Sequence, residues 1–345
     1  MKAELHRRTL LGGVASLGVG LTRGAVAQSR YSGRQLVSQG AGGATQDAIQ
    51  KAMFDRLDHE LGCTSTQVPL LSAAAFARMR AEAAAPQIDM YLFSGGQEVT
   101  AAAEGLTADL GPLPNWDDIP ANMKDPARQW AKFATIAEGI LYRTDKIKVA
   151  PRSYKDFLNP EYDGHIAFPT IANGYGTDFL VMLARAFGGG EKAIEPGFTA
   201  MAKFAAHATI FKAAAEVPGL FAQSDIWIMP YDSTSAKRCK DAGLPVAFVS
   251  AEEGSPASFL TTCIARNSKN IDLAREAVNR FLGPDTQGAI AELLQWAPTN
   301  GKLKLPEALA RQLPRPDQLV TLDMSTMTAN RPAWTERWNK EIGHA

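Results

Sequence analysis

The chain has 345 residues, 46% of them hydrophobic and 21% charged, with 36 basic and 36 acidic side chains. That balance leaves no basic footprint for nucleic acid, and the apolar content is too high for a disordered chain. At roughly 100–200 residues per domain, the length corresponds to two domains.

The N-terminus reads as an export signal covering residues 1–27. A basic start leads into an apolar run from Leu10 to Leu21, then Ala25-Val26-Ala27 before Gln28. This is the order of a secretory signal, and the run is too short to span a bilayer. Arg7-Arg8 before Thr9-Leu10-Leu11 fits the twin-arginine route; a Sec signal with two incidental arginines is the alternative. Cleavage would remove Lys2, Arg7, Arg8 and Arg23 with Glu4, leaving 32 basic and 35 acidic residues, a net charge of −3. Cys63, Cys239 and Cys263 form no C-x-x-C pair, which argues against a zinc or redox motif.

In chain order, Leu36-Val37 suggests a short buried strand and Ser38–Gly43 a glycine-rich loop. Ile49, Met53, Leu57 and Leu61 then recur at helical spacing. A weak strand around Gln67–Leu71 precedes an Ala-rich helix from Ala73 to Ala85. Strand Ile88–Phe93 leads into the loop Ser94-Gly95-Gly96-Gln97 and another helix. Residues 116–130 are proline-rich and irregular, and "ATIAEGILYRTDKI" is an apolar strand. "SYKDFLNPEYDGHIAF" gives a short helix, a turn and a strand. "TDFLVMLARAFGGG" is a helix closed by glycines, and "SDIWIMPYDSTSAKRCKDAG" is strand, polar loop and helix. Two apolar runs flank a Glu-Glu-Gly turn, and the following helical stretch breaks at Gly283-Pro284. Strands alternating with helices imply α/β architecture with a mostly parallel sheet, whose ligands bind beyond the carboxyl ends of the strands.

"SYKDFLNPEYDGHIAFPTIANGYG" resembles the "sWxDLLdPxYkGkiaxP" segment of periplasmic solute-binding proteins of ABC importers, the two-lobed type that includes spermidine/putrescine, ferric iron, thiamine and phosphonate binders. "ILYRTDKI" is similar to their inter-lobe strand. "NSKNIDLAREAVNRFLGPDTQGAIAELLQWAPTN" is similar to their C-terminal helical segment with its closing P-T-N. The resemblance spans essentially the whole mature chain. It implies two α/β lobes (type II), each a mainly parallel sheet flanked by helices, joined by strands crossing near 135–141 and 259–264. Lobe one is expected over 28–135 and 258–345, lobe two over 136–257. It also implies a monomer that binds a small solute, closes on it, and passes it to permease and ATPase subunits, with no cofactor, no resident metal and no catalysis.

Candidate ligand-binding residues cluster at strand ends. Gly176 and Thr177 follow strand 166–168 and open a helix, where free N–H groups would suit a carboxylate, phosphate or phosphonate; Thr177 as a simple N-cap is the alternative. Ser94, Gly95 and Gly96 form a second such loop, and Gln39 with Gly40 a third. Tyr231 and Asp232 end a strand, where an aromatic face and a carboxylate would hold an amine, or Asp232 would cap the next helix. By the resemblance, polyamine binders place an aromatic at the position of Tyr231, a stacking tyrosine near Trp296 and an acidic contact near Asp178. Trp296 as a core residue and Asp178 as a first-turn acid are the alternatives. Half of the polyamine aromatic box is missing: Ser258-Phe259-Leu260 stands where those proteins have Trp-x-Asp. The tyrosines lie eight or more residues apart, unlike the neighbouring pair of ferric binders. Trp334, Trp338 and Ile342 share a helical face and read as core; His165 and His207 are isolated.

Three function classes follow. The first is an importer subunit for an amine-bearing, polyamine-like solute, with phosphonate, carboxylate, thiamine or ferric ion as alternatives. The second is an exported cofactor-dependent enzyme, although G-x-S-x-G, H-E-x-x-H and S-x-x-K are all missing from the chain. The third is a sensor using the same fold.

Overall fold

The computed structural model describes residues 30–94, 96–223, 225–313 and 316–343; the segment expected to be an export signal, residues 1–27, and Gly95 lie outside the described residues. β1 (Gln35–Gly40) leads into one long helix, α1 (Gly43–Ile49) and α2 (Asp55–Leu61) being joined by a wider turn at Gln50–Phe54. β2 (Thr64–Pro69), α3 (Ser72–Ala81), β3 (Met90–Phe93) and α4 (Gln97–Ala103) follow. β4 (Ala131–Arg143) is the longest strand. After it come β5 (Ala167–Pro169), α5 (Gly174–Ala186), α6 (Glu195–Met201), β6 (Thr209–Phe211), α7 (Val217–Gln223), β7 (Ile228–Asp232), α8 (Ser233–Asp241), β8 (Val246–Val249) and β9 (Ser255–Ile264). The chain ends with α9 (Ile271–Leu282), α10 (Pro284–Leu294), β10 (Ala297–Pro298), α11 (Glu307–Ala310), β11 (Leu319–Val320) and α12 (Met324–Glu341).

Among the described residues, nine strands join in one sheet. β2, β1 and β3 run parallel, as strand–loop–helix units require, whereas β3 meets β9 antiparallel. β4 is the spine. Its first half lies between β9 and β10, and its second half between β7 and β8, all antiparallel. A strand covered on both faces reads as a nearly continuous apolar run, as residues 131–142 do. Gly139 is obligatory there: a Cβ would stand 2.4 Å from the Val249 carbonyl oxygen and 2.8 Å from the Phe248 ring.

β4 crosses between two sets of cores. One set contains Leu36, Phe54, Phe133, Phe281 and Trp296, with Tyr91 and Phe93 on the sheet's other face. The other contains Phe157, Phe168, Phe179 and Phe204, with Phe211, Phe221 and Tyr231 on its own second face. The expected crossings at 135–141 and 259–264 fall within β4 and β9.

The C-terminal segment departs from the expected lobe-one assignment. Leu322, Met327, Trp334, Trp338 and Ile342 pack into the core of the 136–257 half. β11 pairs with the start of β9 at Ser255-Pro256, and Arg337 forms an ion pair with Glu195, the first residue of α6. The apolar face that marks these residues as core says nothing of which core they join. Trp338→Ala should therefore cost about 3–5 kcal/mol. Hydrogen exchange should show lost protection in 179–204 and unchanged protection in 35–69; the reverse pattern would place α12 on the other lobe.

Candidate functional site

Glu138 interrupts the apolar run of β4 where its partner changes from β9 to β7. Ala137 pairs with Ala257, while Glu138 stands directly opposite Asp232. Directly opposed residues of an antiparallel pair share a face, so the two carboxyls lie side by side, 5% and 3% exposed. Asp178, in the second turn of α5, neighbours the Glu138 carboxyl. Carboxyls placed together out of water disfavour each other's ionised form. Burial, then the neighbouring Asp178 and Asp232, push Glu138 well above the usual carboxylate range. Burial pushes Asp178 up to about 6, opposed by the Glu138 hydrogen bond and the more distant Arg331. Asp232 is raised by burial, opposed by its bonds to Ser235 and by Arg238. Among the described residues, none of the three has a Lys or Arg partner at ion-pair distance.

Consecutive strand residues face opposite ways. The Tyr231 ring therefore leaves Asp232 and packs against Phe211 and Tyr175, at 5.2 and 4.6 Å between centroids. Tyr231 and Asp232 do not form the adjacent aromatic–carboxylate pair expected from the sequence. Asp232 caps α8, accepting from the Ser235 N–H at 2.8 Å, so its capping role is realised together with its place among the acids.

The α5 terminus also differs from the expected anion cradle. Asn173 caps it through the Tyr175 N–H, and the N–H groups of Gly176 and Thr177 donate to the Asn173 carbonyl at 3.0 and 3.4 Å. The Thr177 hydroxyl donates to the Ile171 carbonyl. Gly176 is required by packing, since a Cβ would lie 2.2 Å from the Thr170 carbonyl oxygen. Asp178 lies in the second turn of α5, past the first turn where the helix dipole would favour a carboxylate, so the expected first-turn acid is not realised.

On the other lobe, Gln39 is a buried latch. Its amide donates to the carbonyls of Gly40 and Leu70 and accepts from the Leu92 N–H, tying together the ends of β1, β2 and β3. Gly40 packs against the Gln46 side chain. Ser94 is exposed and bonded to Ser72, and Gly96 precedes α4 in the left-handed region at φ 80°. Trp296 is 5% exposed in the first core, and its indole N–H reaches across to the Thr234 hydroxyl at 2.9 Å. Beside it Ser233 donates to the Gln295 carbonyl. The start of α8 and the end of α10 thus meet between the lobes.

Sequence reasoning passed over Glu138, Tyr175, Glu98 and Lys132. The signal for Glu138 was present: a carboxylate inside an apolar strand is costly without a partner or a task. A separate cavity of 580 Å³ lies away from these groups, lined among others by Phe248, Glu307, Arg311 and Gln312. Among the described residues, no three His, Cys, Asp or Glu side chains are placed to hold a metal, all three cysteines are buried and free, and no helix is long and apolar enough to cross a membrane.

Residues 88–328 match the family model described as bacterial extracellular solute-binding protein. The chain belongs to that family. It is a binding protein and not an enzyme. No match was found among curated protein sequences. A putative extracellular solute-binding protein from Bordetella parapertussis superposes with TM-score 0.78 at 23% identity, covering 89% of this chain and 98% of its own. An ABC transporter substrate-binding protein from Bradyrhizobium japonicum gives 0.74 at 18% identity, covering 90% and 99%. The periplasmic binding protein AfuA from Actinobacillus pleuropneumoniae, with fructose-6-phosphate bound, gives 0.66 at 16%, covering 91% and 99%. These likenesses establish the fold of the solute-binding protein.

The carboxyl pair sets a pH dependence. Both carboxyls titrate higher when folded than when unfolded. The stability they contribute is full below the unfolded carboxylate range, about 4. It is lost as pH rises through about 6 and beyond. Denaturant unfolding of the unliganded protein should show stability falling from pH 5 to pH 8, and Glu138→Gln should flatten that fall. An unchanged slope in the variant would remove Glu138 as its source.

Proposed function

We propose that this protein is the solute-binding subunit of an ABC importer and that its solute carries an amine, in the manner of a polyamine. The mature chain is a periplasmic monomer beginning at Gln28, exported by the twin-arginine route, and it delivers its solute to permease and ATPase subunits. The observation that carries the ligand class is the group Glu138, Asp178 and Asp232, two buried carboxyls and one half-buried, without a cationic partner at ion-pair distance. An ammonium group supplies that charge and enough donors to serve more than one carboxylate. Tyr175 adjoins the acids, and Tyr231 packs against Tyr175 from the other face of its strand. A phosphate or phosphonate is disfavoured, because the α5 donors are taken and the nearest groups are acids. In this the site differs in chemistry from a sugar-phosphate binder of the same fold.

A thermal-shift screen of amines, phosphonates, carboxylates and ferric salts tests the class, since a bound solute stabilises the native state by mass action. Asp232→Asn keeps the helix cap, because Asn caps as well as Asp. It should weaken 1,4-diaminobutane by about 1.5–3 kcal/mol, roughly ten- to hundred-fold, in calorimetry. Equal affinity in variant and parent would refute the amine anchor.

A further inference from the structure

A second set of polar groups lies on the first lobe, where α4 begins beside the crossing strands. Glu98 is 4% exposed; one carboxylate oxygen accepts from the Thr261 hydroxyl at 3.2 Å and the other is buried with no partner. The side-chain oxygen of Gln97, next to it, is also buried and unpartnered. Lys132 lies on β4 opposite Thr261, its ammonium 3.9 Å from the centre of the Phe259 ring. Glu98 and Lys132 attract each other, but the described residues give Lys132 no carboxylate at ion-pair distance. Burial raises the Glu98 carboxyl above its usual range and lowers the Lys132 ammonium below its own, the mark of charges that have left water without closing on each other.

Two unused acceptors stand near one unused cation. A group that satisfies all three must offer two N–H donors and one anionic acceptor. A simple amine leaves Lys132 unmet, and a simple carboxylate is repelled by Glu98. We propose that Glu98, Gln97 and Lys132 form a subsite for the zwitterionic head of an α-amino acid, the ammonium on Glu98 and Gln97 and the carboxylate on Lys132. Phe259 and Lys132 are partly exposed on the crossing strands, while the two acceptor oxygens are shut off from solvent. The head group therefore enters with the lobes apart and is enclosed on closure. Combined with the amine reading above, on which this extension rests, the solute class is an amino acid with a cationic side chain.

Three probes of similar chain length separate the two claims in calorimetry: L-lysine, 1,5-diaminopentane, which lacks the carboxylate, and L-norleucine, which lacks the side-chain cation. The parent should prefer L-lysine to 1,5-diaminopentane by at least about tenfold, the worth of a charge-assisted hydrogen bond. Lys132→Met, which keeps the apolar stem over Phe259, should narrow that preference to less than about twofold. Glu98→Gln should weaken L-lysine and L-norleucine alike. If L-norleucine binds in a Lys132-dependent way while 1,5-diaminopentane does not bind, the head-group subsite stands and the cation reading fails. Equal binding of L-lysine and 1,5-diaminopentane by the parent, a preference that survives Lys132→Met, or no binding of any probe overturns the subsite.

Discussion

A carboxyl in the middle of a strand paired on both sides is the constraint on which the rest depends. Glu138 is 5% exposed on a sheet face that it shares with Asp232. An ionised carboxylate left there alone would cost several kcal/mol. The fold offsets this by holding the Glu138 carboxyl well above the usual carboxylate range, so that it keeps its proton, and by the Ser235 donors on Asp232. On the proposed function, the arrangement is tolerable when empty and improves with a cation. The destabilisation is confined to the point where β4 passes from one lobe to the other, so occupancy of the site and the relation between the lobes share a strand.

The elements around it hold that point from both sides. β9 reaches from β3 on one lobe to β11 on the other, and the Trp296–Thr234 and Gln295–Ser233 contacts close the gap between α10 and α8. Side chains that begin helices α5 and α8 are spent on capping them. Asn173 and Asp232 silence the N-terminal donors that would otherwise draw an anion. The second half of the molecule therefore presents acids with their local donors satisfied, whereas Glu98 and Gln97 on the first keep unmet acceptors. The lobes differ in what they ask of a solute.

Much of this architecture was legible in the sequence because it is local. Strand–glycine–helix units announce themselves by periodicity and by Gly and Asn at the turns. What was hidden is long-range. An apolar stripe on α12 fixes that Trp334 and Trp338 are buried, yet either lobe could have taken them. Gln39 looked like a ligand group because its three backbone partners come from three different strand ends. Gly176 looked like a place for a solute to approach, and the approaching atom is instead the Thr170 carbonyl. Tyr231 and Asp232 looked like one site because they are neighbours in sequence, which in a strand sends them to opposite faces. Glu138 was visible as a misfit in "ATIAEGILYR", but its two acidic companions come from positions 40 and 94 residues away.

A crystal structure of the protein with 1,4-diaminobutane tests the central claim most directly. The account predicts an ammonium nitrogen within hydrogen-bond reach of Asp178 or Asp232, with Glu138 turned toward the same cation. Carboxyls left undisturbed while the diamine binds elsewhere, or closed onto Arg238 and Arg331 in its place, would contradict it.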